Sequence, residues 1–210
     1  MAISTALMQK PDVAVVVKLK GRVTAAGVSE AVGFDASKML DELTADGHVE
    51  PVKAGFKITP TGLDVVNEAL GAVRRDVGDR QLNEWYEVFC TVNADFKATV
   101  TDWQLRQTGD TAVLNDHTDA NYDGAVIARL QVIHASIVAL LDQFPPSIPR
   151  YRRYRNRLDE ALRKLVAGQL QFMASPAVES YHSVWFELHE ELIMLCGLTR
   201  AGEAEAGRGC

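Results

Sequence analysis

Three stretches of this chain carry residue types that could do chemistry. The first is Leu114-Asn115-Asp116-His117-Thr118-Asp119-Ala120-Asn121-Tyr122-Asp123-Gly124, which contains D-x-N-x-D-G. That pattern opens a calcium loop, where spaced oxygens and a glycine wrap a hard cation. Such a loop needs a bidentate carboxylate at its twelfth position, and Leu130 stands there. The stretch therefore reads as a polar loop capping the next helix, with Asp116, His117 and Asp119 as a candidate polar site. The second is Tyr181 to Leu192, where His182, Trp185 and His189 share one helix face at i, i+3 and i+7. His189-Glu190-Glu191 is half of an HExxH zinc motif, but Ile193 occupies the place of its second histidine. His134 could complete a three-histidine site, yet no carboxylate stands at a matching spacing. Buried histidines bonded to tyrosine, glutamate or backbone are the favoured reading, and no metal is expected.

The third stretch is Arg150-Tyr151-Arg152-Arg153-Tyr154-Arg155-Asn156-Arg157. On a helix Arg150, Arg153 and Arg157 line up, and guanidinium groups suit phosphate or carboxylate recognition. They form a candidate phosphate- or partner-binding set. The plainer alternative is a solvated face making ion pairs with Glu187, Glu190 and Glu191. No glycine-rich nucleotide loop, no nucleophile beside a general base and no cofactor motif is evident. Neither catalysis by this chain nor a cofactor is expected.

The element that must position a recognition surface is Val23 to Thr59, VTAAGVSEAVGFDASKMLDELTADGHVEPVKAGFKIT. Thr24 caps a first helix with Ala25, Val28 and Val32 at helical spacing, and Gly33 ends it. Asp35 caps a second, carrying Met39, Leu40 and Leu43 and stopped by Gly47. Val49 and Val52 lead into a turn at Lys53-Ala54-Gly55, and Phe56-Lys57-Ile58 returns as a ribbon. Thr59-Pro60-Thr61-Gly62 then opens another helix. This order resembles the winged helix-turn-helix of MarR-like bacterial regulators, over roughly the first third of the chain. The resemblance implies DNA contact through Ala36, Ser37 and Lys38 at the start of the recognition helix and Lys53 and Lys57 on the wing. Lys18, Lys20 and Arg22 would meet phosphates. The same helix also carries Asp35, Asp41, Glu42 and Asp46, which a phosphate backbone repels.

Around this segment the chain reads as mainly α with a small β-wing. A helix from Pro11 through Leu19 precedes it, and one from Leu63 continues through Val73, with a run past Gly78 as a connector between the two parts as the expectation and Gly78-Asp79 as its weakest point. Residues 11–78 form the expected winged domain. Residues 79–200 form an expected four-helix bundle. Its first helix carries the stripe Leu82, Trp85, Tyr86, Phe89, Phe96, Val100 and Trp103, and a polar segment from Gln107 to Asp123 follows. The others are Gly124 to Phe144, Arg150 to Phe172, and a last one starting at Ser175-Pro176 and ending near Leu195. Residues 201–210 are expected to be a flexible tail.

Net charge is −6 across 210 residues, so any nucleic-acid contact must come from a local patch. With 47% hydrophobic and 24% charged residues, the chain has the composition of a soluble globular protein. The cysteines, Cys90, Cys196 and Cys210, have no paired metal spacing. No apolar run is read as membrane-spanning, and a cytoplasmic location is expected. The phrases FKATVTDWQLR, NDHTDANYDGAV and SYHSVWFELHEELI resemble a helical region associated with phosphoenolpyruvate-utilising, dikinase-like phosphotransferases. Two functions follow as expectations: a dimeric DNA-binding transcriptional regulator, or a noncatalytic accessory subunit of such a phosphotransferase.

Overall fold

The computed structural model describes residues 8–109 and 111–207. It is mainly helical, with 69% of the chain in helix. The helix α1 (Lys10–Lys20) is the hub of the front half. Its residues from Val13 to Val17 are all buried, because neighbours surround it on every side. Around it lie α2 (Ala25–Val32), α3 (Ser37–Ala45), the strands β1 (Val49–Val52) and β2 (Gly55–Ile58), and α4 (Pro60–Val77). The strands form an antiparallel ribbon with Val49 opposite Ile58 and Val52 opposite Gly55. Val23 adds a bridge to Phe56, its N–H donating to the Phe56 carbonyl at 3.1 Å.

Local capping chemistry sets these helix ends. The Thr24 hydroxyl accepts from the Gly27 N–H at 3.1 Å, and Thr59 accepts from Gly62 at 3.0 Å. Asp35 lies one residue ahead of the N-cap Ala36 and accepts from the Ser37 N–H and hydroxyl instead. Gly62 is required by packing as well: a Cβ there would fall 1.9 Å from the His48 carbonyl oxygen. Gly33 ends α2 in the left-handed region at φ +82°, with the Arg153 guanidinium against it.

Gly78, at φ +88° and ψ +143°, breaks the chain between α4 and α5 (Asp79–Gln104), so no single helix connects the halves. Helix α5 packs on α6 (Ala120–Leu141), α6 on α7 (Pro149–Val166), α7 on α8 (Tyr181–Leu195), and α8 back on α5. At the centre, Trp185 stacks against Phe96 with ring centroids 4.2 Å apart, and its indole N–H donates to Asn93 at 2.9 Å. One hydrophobic cluster runs without interruption from Val13 in the front half to Leu195 in the rear.

Several expected boundaries move. The segment read as polar contains a second hairpin, β3 (Leu105–Thr108) and β4 (Thr111–Leu114), turned at Gly109 with φ +62°. The helix expected to reach Phe172 stops at Val166, and Leu170–Phe172 is a single 3-10 turn. The last long helix begins at Tyr181 rather than Ser175, because Ser180 supplies the cap, accepting from the Ser183 N–H at 3.2 Å. The expected flexible tail begins instead with α9 (Arg200–Glu205), capped by Thr199 and held by buried Glu203. Residues 208–210 lie outside the described residues. By length and composition alone α6 is the one helix among the described residues apolar enough to cross a membrane, a test that the core helix of a globular protein passes as well, so it does not overturn the expectation from sequence. One third of its most apolar window is buried, on the side that carries Val126, Leu130, Ile133, Ile137 and Leu140.

Candidate functional site

The outward face of the front half is built by α3 and the ribbon. Leu40 and Leu43 turn inward, which leaves Lys38, Asp41 and Ala45 on the opposite, exposed side. Ser37 is exposed at the helix start, whereas Ala36, grouped with it by sequence, is fully buried. Lys53 is exposed at the ribbon turn. Lys57 is exposed but paired with Glu50 across the ribbon at 2.8 Å. Lys10 reaches α3 and pairs with Asp46 at 3.0 Å and Glu42 at 3.5 Å. From Asp35 to Ile58 five carboxylates stand against three lysines, so this face is acidic overall. Hydrogen bonds from Ser37 hold the Asp35 carboxyl below its usual range, fixing a negative charge beside the start of α3.

The arginines expected on a solvated face lie largely inside, between the two halves. Arg150 is buried and bonds Asp12 of α1 on one side and Glu191 of α8 on the other, the latter at 2.9 Å. Burial opposes its charge, but Glu191 and Asp12 outweigh that and hold the guanidinium more firmly protonated than usual. The Tyr154 hydroxyl donates to the other Glu191 oxygen at 2.9 Å. Arg157 donates two bonds to Glu179 and one to Glu187, all at 2.8 Å. Lys20, expected to meet a phosphate, donates to the same two carboxylates at 2.6 and 2.7 Å. Arg153 donates to the carbonyls of Glu30 and Ala31 at the end of α2, at 2.8 and 3.1 Å. The expected pairing with Glu187 and Glu191 is therefore present, in the interior. The carboxylates are paired throughout, while the Arg150 Nη2 is buried without a hydrogen-bond partner; such pairing matters because a charge removed from water without partners is costly.

Beside this network an open groove of about 640 Å³ separates α1 and α2 from α8, lined by Lys20, Arg22, Glu30, Glu179, His182 and Phe186 among others. Burial lowers the His182 pKa, so the ring lies there neutral. The other histidines do not converge on it. His189 contacts the Tyr86 hydroxyl at 3.4 Å, and burial, aided by Arg200, lowers its pKa to about 4. His134 bonds Tyr181 at 3.2 Å and Asp159 at 2.9 Å. Among the described residues no group of three His, Cys, Asp or Glu side chains is placed to hold a metal ion.

The polar loop before α6 works as a cap. Asp119 accepts from the N–H groups of Asn121 and Tyr122, both at 3.1 Å, and binds Arg106 of the hairpin at 2.9 Å. The Tyr122 N–H and Arg106 lower its pKa. Asp116 accepts from the Thr118 hydroxyl at 2.8 Å, which likewise holds its carboxyl low. His117 adopts φ +58° and contacts buried Asp123 at 3.0 Å. These groups organise the junction of hairpin and helix.

No family model, curated protein or solved structure matches this chain. The sequence signal for the internal network was weak. Asp12, Lys20 and Glu179 lie far from the arginine run, and only Glu187 and Glu191 on the apolar side of α8 hinted that charge goes inside.

Proposed function

We propose that residues 11–78 form a winged helix-turn-helix unit, resembling that of MarR-like regulators, and that α5 to α8 form a four-helix bundle behind it. In this reading the chain is a dimeric, DNA-binding transcriptional regulator. The observation that supports it is α3 itself: a short helix after a tight turn, its apolar side held by α1, its starting residues Ser37 and Lys38 open to solvent, and an exposed ribbon lysine, Lys53, in the same unit. The front half is tied to the bundle through Arg150 to Asp12, Lys20 to Glu179 and Glu187, and Arg153 to the end of α2, so ligand binding in the groove beside α8 would be felt by the recognition unit. DNA affinity would rest on few cations, chiefly Lys38, Lys53, Arg22 and Lys18. A gel-shift titration against the DNA upstream of its own gene tests this. Binding should be sequence-selective and fall with salt, with a shallow slope of a few phosphates. No shift of any fragment at low salt would end the reading.

A second reading is supported by the acidic balance of α3 and the ribbon and by the internal use of Lys20, Arg150, Arg153 and Arg157. Here the chain is a noncatalytic accessory subunit of a phosphoenolpyruvate-utilising, dikinase-like phosphotransferase, and α3 docks on protein. Co-purification with such an enzyme, whose activity is lost without this chain, would support it. A partner enzyme fully active alone would remove it.

A further inference from the structure

The groove between α1 and α2 of the front half and α8 of the rear half carries two charges that the fold leaves unspent. Of the charged side chains lining it, Lys20, Glu179 and Glu187 pair with one another and with Arg157. The other two, Arg22 and Glu30, are exposed, and among the described residues neither side chain has an ion-pair or hydrogen-bond partner. They are opposite in sign. The groove therefore offers one free cation and one free anion, and it complements a ligand that carries both charges.

The spacing of the two charges sets the length of that ligand. Thr24, Gly27 and Glu30 all line the groove and recur every three residues along one face of α2. The six helical steps from Thr24 to Glu30 rise about 9 Å, and Arg22 lies just beyond the Thr24 end. A di- or tripeptide spans about 7–11 Å when extended. A single amino acid, whose charges share one carbon, is too short.

The middle and the wall of the groove point to the same class. His182 of α8 lines it half-buried, its ring kept neutral by burial, and among the described residues neither ring nitrogen has a hydrogen-bond partner. A neutral imidazole supplies one donor and one acceptor, the complement of the C=O and N–H of a peptide group. Beside it Phe186 is 38% exposed, with the Arg200 guanidinium 4.4 Å over its ring, and Pro176 and Val178 continue the apolar wall.

We propose that this groove is an effector site for short zwitterionic peptides of two or three residues. Arg22 holds the carboxylate, Glu30 the ammonium and His182 a peptide group, while an apolar side chain lies against Phe186. Because Arg22 and Glu30 belong to the front half and His182 and Phe186 to α8, the bound peptide bridges the two halves. Peptide binding stands whether or not the chain binds DNA; an effect of the peptide on DNA affinity rests on the regulator reading above.

Calorimetric titration of the full chain with the dipeptide alanyl-phenylalanine should give saturable binding at one site. Amidating the peptide's carboxylate or acetylating its amine should each weaken binding about ten- to a hundredfold, the worth of one charge-assisted hydrogen bond. Phenylacetate and phenethylamine, with one charge each, should bind at least as weakly as these blocked peptides. Arg22→Ala should cost the same factor against the free dipeptide and almost nothing against the amidated one, and Glu30→Gln should behave likewise with the acetylated one. Both positions are exposed, so the fold survives these changes, as circular dichroism would show. No saturable binding up to about 10 mM dipeptide, phenylacetate binding as tightly as the dipeptide, or variants that lose free and blocked peptides alike would overturn the proposal. Gel shift with and without the dipeptide separates the two conclusions: a chain that binds peptide and shifts no DNA refutes only the DNA reading, and one that shifts DNA and binds no peptide refutes only the effector site.

Discussion

Replacing Arg157 by alanine is the sharpest probe of the charge network in the rear half that Lys20 of the front half joins. The side chain is 7% exposed and makes three charge-assisted hydrogen bonds at 2.8 Å to Glu179 and Glu187. With Lys20 it balances two positive against two negative charges. Arg157→Ala leaves two buried carboxylates sharing one ammonium. Removal of one partner from a buried pair costs about 3–5 kcal/mol, against a total stability of about 5–15 kcal/mol. At about 2–4 °C per kcal/mol for a chain of this size, the midpoint should fall by roughly 6–20 °C. Arg157→Met combined with Glu187→Gln leaves Lys20 and Glu179 as a balanced pair, so the double variant should regain about 2 kcal/mol of the loss. Urea unfolding followed by circular dichroism and by tryptophan fluorescence measures both, and coincident transitions license the comparison. The network also predicts acid sensitivity. Burial raises the Glu179 carboxyl, but hydrogen bonds and charge from Arg157 and Lys20 outweigh it, and its pKa lies below 4.5. Its contribution is complete above that value and is lost as pH falls through the lowered pKa. An Arg157→Ala protein within about 1 kcal/mol of wild type, or a double variant no better than the single, would refute this account of the junction.

Four other perturbations test separate parts of the structure. His189 titrates near 4 in the fold against 6.5 ordinarily, so the unfolded chain takes up its proton first; stability should fall as pH drops from about 6.5 towards 4, and His189→Gln should flatten that window of the unfolding-versus-pH curve. Glu203→Ala removes the acceptor of the Tyr86 hydroxyl, bonded at 2.6 Å, and should cost about 1–3 kcal/mol while hydrogen exchange speeds up along α9. Gly62→Ala forces a Cβ to 1.9 Å from the His48 carbonyl and should destabilise by at least about 1–3 kcal/mol in thermal melts, where an ordinary helix glycine would gain from the same change. Lys38→Ala should weaken any DNA binding across sequences and lower the salt slope by about one, with the melting temperature unmoved.

What could be read from the chain follows the range of the forces involved. Thr24, Gly33, Thr59 and Gly78 mark element ends because capping bonds and left-handed backbone act within four residues. The inward stripes of α5 and α6 follow from helical period alone. The hairpin from Leu105 to Leu114 escaped because its residues are mostly exposed and carry no apolar alternation, and only Gly109-Asp110 signals the turn. Ser175-Pro176 imitates a helix start, but Ser180 has the better cap and the chain between them packs as turns.

Charge placement behaved differently. The alignment of Arg150, Arg153 and Arg157 on one side of α7 is a property of the sequence. Their direction is not, because a guanidinium is stable in water or in the interior according to what meets it there. Arg150 goes inside because Asp12, 138 residues away, and Glu191, 41 residues away, converge on it once α1 and α8 have packed. The order of helices and strands was thus determined by the sequence through local bonds and periodicity. Which cations remained free to meet a partner was decided only by the tertiary structure, since partners so distant along the chain come together only when the core closes.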